Sequence, residues 1–442
     1  MEELERLPPE VWVYVFSYLT TEEKHTVRTC CRYMKKLVDH PFLWRSNTVV
    51  LSDLRRYTYG FWDTLNHRKL TRVAVRHLRR KEWRRLVKFL PSLTAIVFMD
   101  GERLYRQKYL DKLSHFPHLK DFGVWNASWD EAVLGRSLSE HLRERLTHLS
   151  VCNVRLPCTV HLISTVAHLV NLRYLLFHQQ GESYWPDRVR PVPCSVFHHM
   201  LLNLKKLKHL SWGMRGEPPK PLDDDYFSPT DPEQPGAPRY SGPALTSLEL
   251  LDYPESILPE NALRSLTSLR SLTVRYSYMR EGIKCRLKSW LSPLQQLETL
   301  TIIVTRLTLR VGITLKDIDL IAPAVPGLQH LDIEQNRSSG SLCRRIPMLF
   351  PQLKTLRIRF LRKEPEKDLL NLLRLQHLER LELLVDRSFI HQDYLNNHMW
   401  PSPSVQELID QLRRLSHNRI SVVTKMRPRN LLRECDCLSE VD

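Results

Sequence analysis

Covalent chemistry in this chain would have to come from its 9 cysteines and 19 histidines, and their spacing supports none. A structural zinc needs paired ligands at short intervals, and Cys435-x-Cys437 has no second pair to complete such a site. Thioester chemistry at Cys152 would need an activating base beside the thiol, and spacing along the chain does not place one there. His118, His148, His168, His209 and His330 sit beside leucines, where packing or solvation is the ordinary role. There is no glycine-rich phosphate loop, no metal-spaced histidine pair and no nucleophile motif. These residues predict a chain that is not an enzyme and needs no metal or cofactor.

Binding chemistry is better supplied. Tryptophan, tyrosine and arginine anchor protein interfaces, and several stand where one repeating pattern would line them up. Leu, two residues, an apolar, one residue, another apolar recurs as Leu93-x-x-Ile96-x-Phe98, Leu146-x-x-Leu149-x-Val151, Leu245-x-x-Leu248-x-Leu250 and Leu353-x-x-Leu356-x-Ile358. The same pattern starts at Leu70, Leu119, Leu172, Leu207, Leu269, Leu297, Leu328 and Leu378, about twelve units in all. Leu93 to Leu119 is 26 residues, Leu146 to Leu172 again 26, and Leu353 to Leu378 is 25. A period of roughly 20–29 residues around this core reads as a leucine-rich repeat. Each unit supplies a short strand and a helical return, and none can bury its own leucines. Neighbours must therefore stack into a curved parallel sheet, an α/β horseshoe.

In such strands the residues flanking the inner leucines face the concave side. Candidate substrate-binding residues there are Trp125, Tyr174, Arg275, Asp332, Glu334, Arg357 and Arg359. Asp121, His178, His209, Glu249, Arg380 and Glu382 share that face. The repeats span 51–424, ending in an amphipathic helix over Ser404–His417 and a strand at Ile420-x-Val422 that should close the open end. Residues 425–442 read as a loose tail. The 38 residues from Leu207 to Leu245 contain an insertion, 213–243, crowded with proline, glycine and acid and without periodicity. It reads as an exposed flexible loop. Shortening it to a few glycines and serines should leave the melting temperature nearly unchanged.

Ahead of the repeats, residues 1–50 carry more apolar surface than a small unit can bury. Leu7-Pro8-Pro9-Glu10 opens a helix, and Val11 to Phe16 is apolar on every side of it. Thr20 and Glu23 form a capping box for a second helix, and Cys30 to Val38 supplies a third, stopped at His40-Pro41. Phe42-Leu43-Trp44 adds a last apolar knob, so the segment reads as a docking module.

Leu7-Pro8-x-Glu10-Val11, Val15-Phe16-Ser17-Tyr18-Leu19, Cys31-Arg32, Leu37-Val38 and Leu43-Trp44-Arg45, all in register, resemble an F-box. With the repeats behind it, the chain is similar to the F-box/leucine-rich-repeat family. Two positions depart from the family pattern: Met34 stands where tryptophan is usual, and Lys24 where leucine is common. The resemblance implies a substrate receptor of an SCF-type cullin–RING ubiquitin ligase. Its F-box would dock on the adaptor through Leu7, Pro8, Val15, Phe16 and Leu43, and its repeats would hold an unidentified protein substrate. Two other readings use the same parts: a binding scaffold that does not direct degradation, and a basic nucleic-acid-binding repeat protein.

The net charge of +17 and the pI of about 9.5 call for acidic partners. Runs such as Arg72 to Arg85 mix base with apolar residues and read as solvated faces that keep an apolar array soluble. Zinc-finger and aromatic-rich RNA motifs are absent, which disfavours nucleic acid. The acidic N-terminus lacks the parts of a signal peptide, and no apolar run would cross a bilayer. The expected compartment is cytoplasm or nucleus, with reduced cysteines.

Overall fold

A computed structural model describes residues 7–45, 47–52, 57–76, 80–99, 113–126, 131–154, 156, 159–179, 192–213, 222–229, 242–251, 259–276, 287–304, 315–333, 339–359, 366–385 and 403–426. The chain divides after Leu172 into two compact units. Residues 214–221 and 230–241 of the insertion, Glu334 and the tail beyond Met426 lie outside the described residues.

The first unit begins with three helices, α1 (Pro9–Ser17), α2 (Thr21–Cys30) and α3 (Arg32–Val38), then a 3-10 turn over Pro41–Trp44. Proline occupies the first turn of α1, where its missing N–H leaves no gap. Glu23 N–H donates to Thr20 Oγ1 at 3.2 Å and Thr20 N–H to Glu23 Oε2 at 2.7 Å, so the capping box starts α2. Phe16, Met34, Leu37, Val38, Leu43 and Trp44 form the core, and the Trp44 indole N–H is satisfied by Val38 O at 2.6 Å. Met34 fills the space a larger ring would take, which suits a flexible side chain.

Five parallel strands follow in sequence order: β1 (Thr48–Leu51), β2 (Arg72–Arg76), β3 (Ala95–Met99), β4 (Asp121–Trp125) and β5 (His148–Val154). Strand β1 starts inside residues 1–50, so the repeats begin before the boundary drawn from the sequence. No leucine leads into it, and the repeat pattern therefore does not mark it. Helices α4 (Tyr59–His67), α5 (Arg80–Phe89), α6 (Glu131–Ser137) and α7 (Thr159–Val166) are the returns.

The second unit carries nine parallel strands, again paired in sequence order. They are β6 (Tyr174–Gln179), β7 (His209–Gly213), β8 (Ser247–Leu251), β9 (Ser271–Tyr276), β10 (Thr299–Val304), β11 (His330–Ile333), β12 (Thr355–Arg359), β13 (Arg380–Val385) and β14 (Ser421–Met426). The returns include α8 (Cys194–Asn203), α9 (Leu287–Leu291), α10 (Leu315–Ile321) and α11 (Ser339–Leu349). Last comes α12 (Pro403–Leu415), which buries Ile409 and Leu412. No helix among the described residues is long and apolar enough to cross a membrane.

One backbone device recurs at most steps within each unit, though Glu379 O ahead of β13 takes only Ser421 N–H. The carbonyl just ahead of a strand accepts two N–H groups from the next repeat. Thr94 O takes Lys120 N–H and Asp121 N–H, Lys208 O takes Thr246 and Ser247, and Gln329 O takes Lys354 and Thr355, at 2.7–3.1 Å. Proline leads into several strands at the second position of a tight turn, as in Phe116-Pro117-His118-Leu119, closed by Leu119 N–H to Phe116 O at 3.2 Å. Its fixed φ suits that position.

The flexible-loop reading of 213–243 fails at its centre. Tyr226 and Phe227 are fully buried. Tyr226 stacks on Phe197 with centroids 4.5 Å apart, and Phe227 meets the same ring edge-on at 5.6 Å. His198 Nε2 donates to Asp225 O and Tyr226 O, which fastens the segment to α8. Two aromatics in a run of proline and acid give no periodicity, yet they fill a hole beside Trp212. Phe227→Ala is therefore expected to cost about 3–5 kcal/mol, the usual loss for a buried phenylalanine. Thermal melts check this; a variant within a degree of the parent would restore the dispensable-loop reading.

Candidate docking surfaces

The helical module keeps an uncovered apolar face. Leu7, Val11, Tyr14, Val15, Tyr18 and Phe42 are exposed among the described residues, and Pro8 stands beside Leu7. Phe16 and Leu43, expected on this face, point inward instead at 3% and 4% exposure. A helix apolar all round must send one side into its own core, and the sequence does not say which side.

A guanidinium links the module to the first repeat. Arg68, just after α4, donates to Asp39 Oδ1 through Nη2 at 2.6 Å and Nε at 2.9 Å, while Arg28 Nε reaches the same oxygen at 2.9 Å. The Arg68 carbon lies 3.7 Å from the Trp44 ring centroid. Burial pushes the Asp39 carboxyl up, but hydrogen bonds from Arg28 and Arg68 outweigh it and hold its pKa below the usual value.

On the strands, residues flanking the core positions form straight rows, because parallel register brings equivalent positions side by side. In the first unit Asp121 takes Arg72 Nη1 and His148 Nδ1, both at 3.0 Å. Trp125 is buried, its indole N–H donating to Ser150 Oγ at 3.0 Å. In the second unit Tyr174 lies flat on the His209 ring, centroids 4.2 Å apart.

Two polar clusters on these rows differ in access. The first is closed. Ser211 Oγ donates to Glu249 Oε2 at 2.5 Å, so the contact at 2.8 Å from His178 Nε2 must be a donation to Ser211. Arg275 Nε reaches Glu249 Oε1 at 2.8 Å, with 4% of its side chain exposed. Arg275 is thus committed inside the structure. Gly213 makes room: a Cβ there would stand 3.1 Å from His178 Cδ2 and 3.3 Å from His178 Cα. Burial pushes the Glu249 carboxyl up, but Arg275, His178, Ser211 and His209 together pull it below the usual range.

The second cluster is open. Arg357 bridges Asp332 through Nη1 and Glu382 through Nε, each at 2.8 Å. Glu382 also takes Arg380 Nε at 2.8 Å and Lys425 Nζ at 3.5 Å. Burial raises the Glu382 pKa, while Arg357, Arg380 and Lys425 outweigh it and lower it overall. Above these pairs lies a hollow of about 330 Å³, lined further by Thr299, Thr301, His330 and Thr355. Arg359 is half-buried one row along. Doubled arginine was visible in the sequence; the hydroxyls of β10 were not, because threonine between leucines is common in any strand.

Cys194, His198 and Asp225 bring ligand atoms within 4.8 Å of one another. His198 Nε2 spends its hydrogen on the Asp225 and Tyr226 carbonyls and is not free to ligate, and burial with Asp225 and Asp223 pushes the Cys194 thiol up to about 11.

A family model described as F-box-like matches residues 4–49. Comparison with curated proteins gives no match. Among solved structures, a chain in the crystal structure of the Rad7 and Elc1 complex in yeast is similar. It is 12% identical with a TM-score of 0.38, over 81% of this chain and 89% of that chain.

The closed cluster yields a pH test. A carboxylate whose pKa is lowered on folding adds stability above its unfolded value, near 4.5 for Glu249, and that stability fades as pH falls through the lower folded value. Arg275→Met is expected to lower the melting temperature at pH 7 and to shrink the drop between neutral and acid melts. Parallel pH curves for variant and parent would show that the pair carries no such linkage.

Proposed function

We propose that this F-box/leucine-rich-repeat chain is a substrate receptor that carries a protein to a cullin–RING ubiquitin ligase without itself catalysing transfer. Its part in the reaction is proximity: holding a target raises the local concentration of its lysines near the charged conjugating enzyme. One observation carries the reading. A match to an F-box-like model coincides with an exposed apolar face that the first repeat leaves uncovered. Leu7, Pro8 and Val15 lie on that face and would meet the adaptor. Phe16 and Leu43 would act behind it, by holding the exposed side chains in place.

For the substrate, the open cluster on β10 to β13 is favoured over the closed one. Asp332, Arg357 and Arg359 keep part of their surface in water, whereas Arg275 and Trp125 are enclosed. Tyr174 offers a half-buried ring, and Glu334 lies outside the described residues.

Affinity purification separates the two docking events. Leu7→Ala with Pro8→Ala is expected to lose adaptor and cullin while the melting temperature holds. Thr301→Tyr, which fills the hollow while leaving every charged residue of the cluster in the sequence, is expected to lose substrate and keep adaptor. Undiminished adaptor on the first variant rejects the ligase reading. Partners whose abundance ignores proteasome inhibition would indicate a scaffold instead.

A further inference from the structure

Between α2 and the first repeat, the first unit holds a cleft of about 910 Å³. Every charged or titratable side chain lining it is basic: Lys24, His25, Arg45 and Arg68. Three of them gather on one ring. Arg68 lies 3.7 Å from the Trp44 centroid, Lys24 Nζ 5.8 Å from it, and the His25 ring 5.8 Å centroid to centroid. Arg68 has Asp39. Lys24 is 5% exposed and has Leu43 O at 3.4 Å, and among the described residues no carboxylate pairs with it. Burial lowers its pKa, and burial with Arg68 and Arg28 lowers that of His25. The cleft is therefore a partly desolvated place whose lining holds cations and no carboxylate.

The same cleft meets a strand edge. It is lined by Thr48, Val49 and Val50, three consecutive residues whose side chains alternate between the two sheet faces. A hollow touching all three must reach the strand from its side. That side is open, because β1 begins the sheet and pairs only with β2 among the described residues. An unpaired edge presents N–H and C=O groups to any extended backbone.

We propose that this cleft takes an extended acidic peptide of a partner protein, which adds as a strand beside β1 and sets carboxylates against Lys24 and Arg45. Main-chain pairing supplies affinity and the basic wall supplies selectivity, the division of labour usual in strand addition. The two features are independent: the edge accepts any backbone, and the charge rejects a basic one.

Fluorescence anisotropy on the full-length chain tests this with an octapeptide of alternating glutamate and valine. Saturable binding that weakens with salt is expected, with the lysine–valine counterpart weaker by roughly tenfold or more, as for a lost desolvated ion pair. Lys24→Leu removes the buried charge and leaves an apolar side chain, and it is expected to lose a similar factor with the melting temperature held. Should that variant not fold, the exposed Arg45→Glu is expected to weaken binding in its place. Peptides N-methylated at alternate residues, one in each register, separate strand pairing from plain charge attraction; one of the two should fail. No binding by the octapeptide, equal binding by both methylated forms, or full displacement by inorganic tripolyphosphate at matched ionic strength would each overturn the proposal.

Discussion

The constraint on which this structure depends is that no repeat can satisfy itself. Each strand buries leucines against its neighbours, and most carbonyls ahead of a strand accept two N–H groups from the repeat that follows. That doubled acceptor sets where the next strand starts. A slip by one residue would break two hydrogen bonds and turn every leucine toward water, since side chains alternate with period two. Register is therefore held twice over, by backbone and by core. The rows of flanking side chains are a consequence: Thr301, Asp332, Arg357 and Glu382 stand side by side because their backbones cannot do otherwise.

Equal placement does not make equal surfaces. In the closed cluster, Glu249 and Arg275 are both enclosed, so a partner wishing to use either must leave the other as a buried unpaired charge. Breaking such a pair costs roughly 3–5 kcal/mol, more than a new surface contact returns. In the open cluster Arg380 and Lys425 stay about half exposed, while Glu382 between them is enclosed. Either cation can turn to a partner while Arg357 stays on Glu382. Electrostatic cost, more than residue type, decides which arginines are available to a ligand.

That distinction also marks what could be read before any coordinates. The helical module and the repeats were legible, because each depends on many positions at fixed spacing and tertiary packing reinforces the same pattern. Parity on the strands was legible too: Arg357 and Arg359 do share a face. Depth was not. Arg275 and Arg359 occupy equivalent positions in their repeats, and only the side chains of neighbouring strands make one enclosed and the other half-buried. Tyr226 and Phe227 were hidden for a different reason: a pair of aromatics filling one hole has no period to detect. Strand β1 was missed because its inner residues, Val49 and Leu51, have no leucine leading into them.

The two departures from the F-box pattern, at Met34 and Lys24, have different physical standing. Methionine for tryptophan is an exchange of one apolar filler for another, and Met34 is buried at 6% exposure. Lysine for leucine is not, since an ammonium group pulled from water needs compensation. Lys24 receives little: one carbonyl at 3.4 Å and a ring at 5.8 Å, whereas Arg68 beside it has a carboxylate at 2.6 Å and the same ring at 3.7 Å. Arg68 locks the module to the repeat, and that lock would persist without Lys24. A charge so weakly compensated adds little to the lock, and Lys24 is also one of the residues that line the cleft.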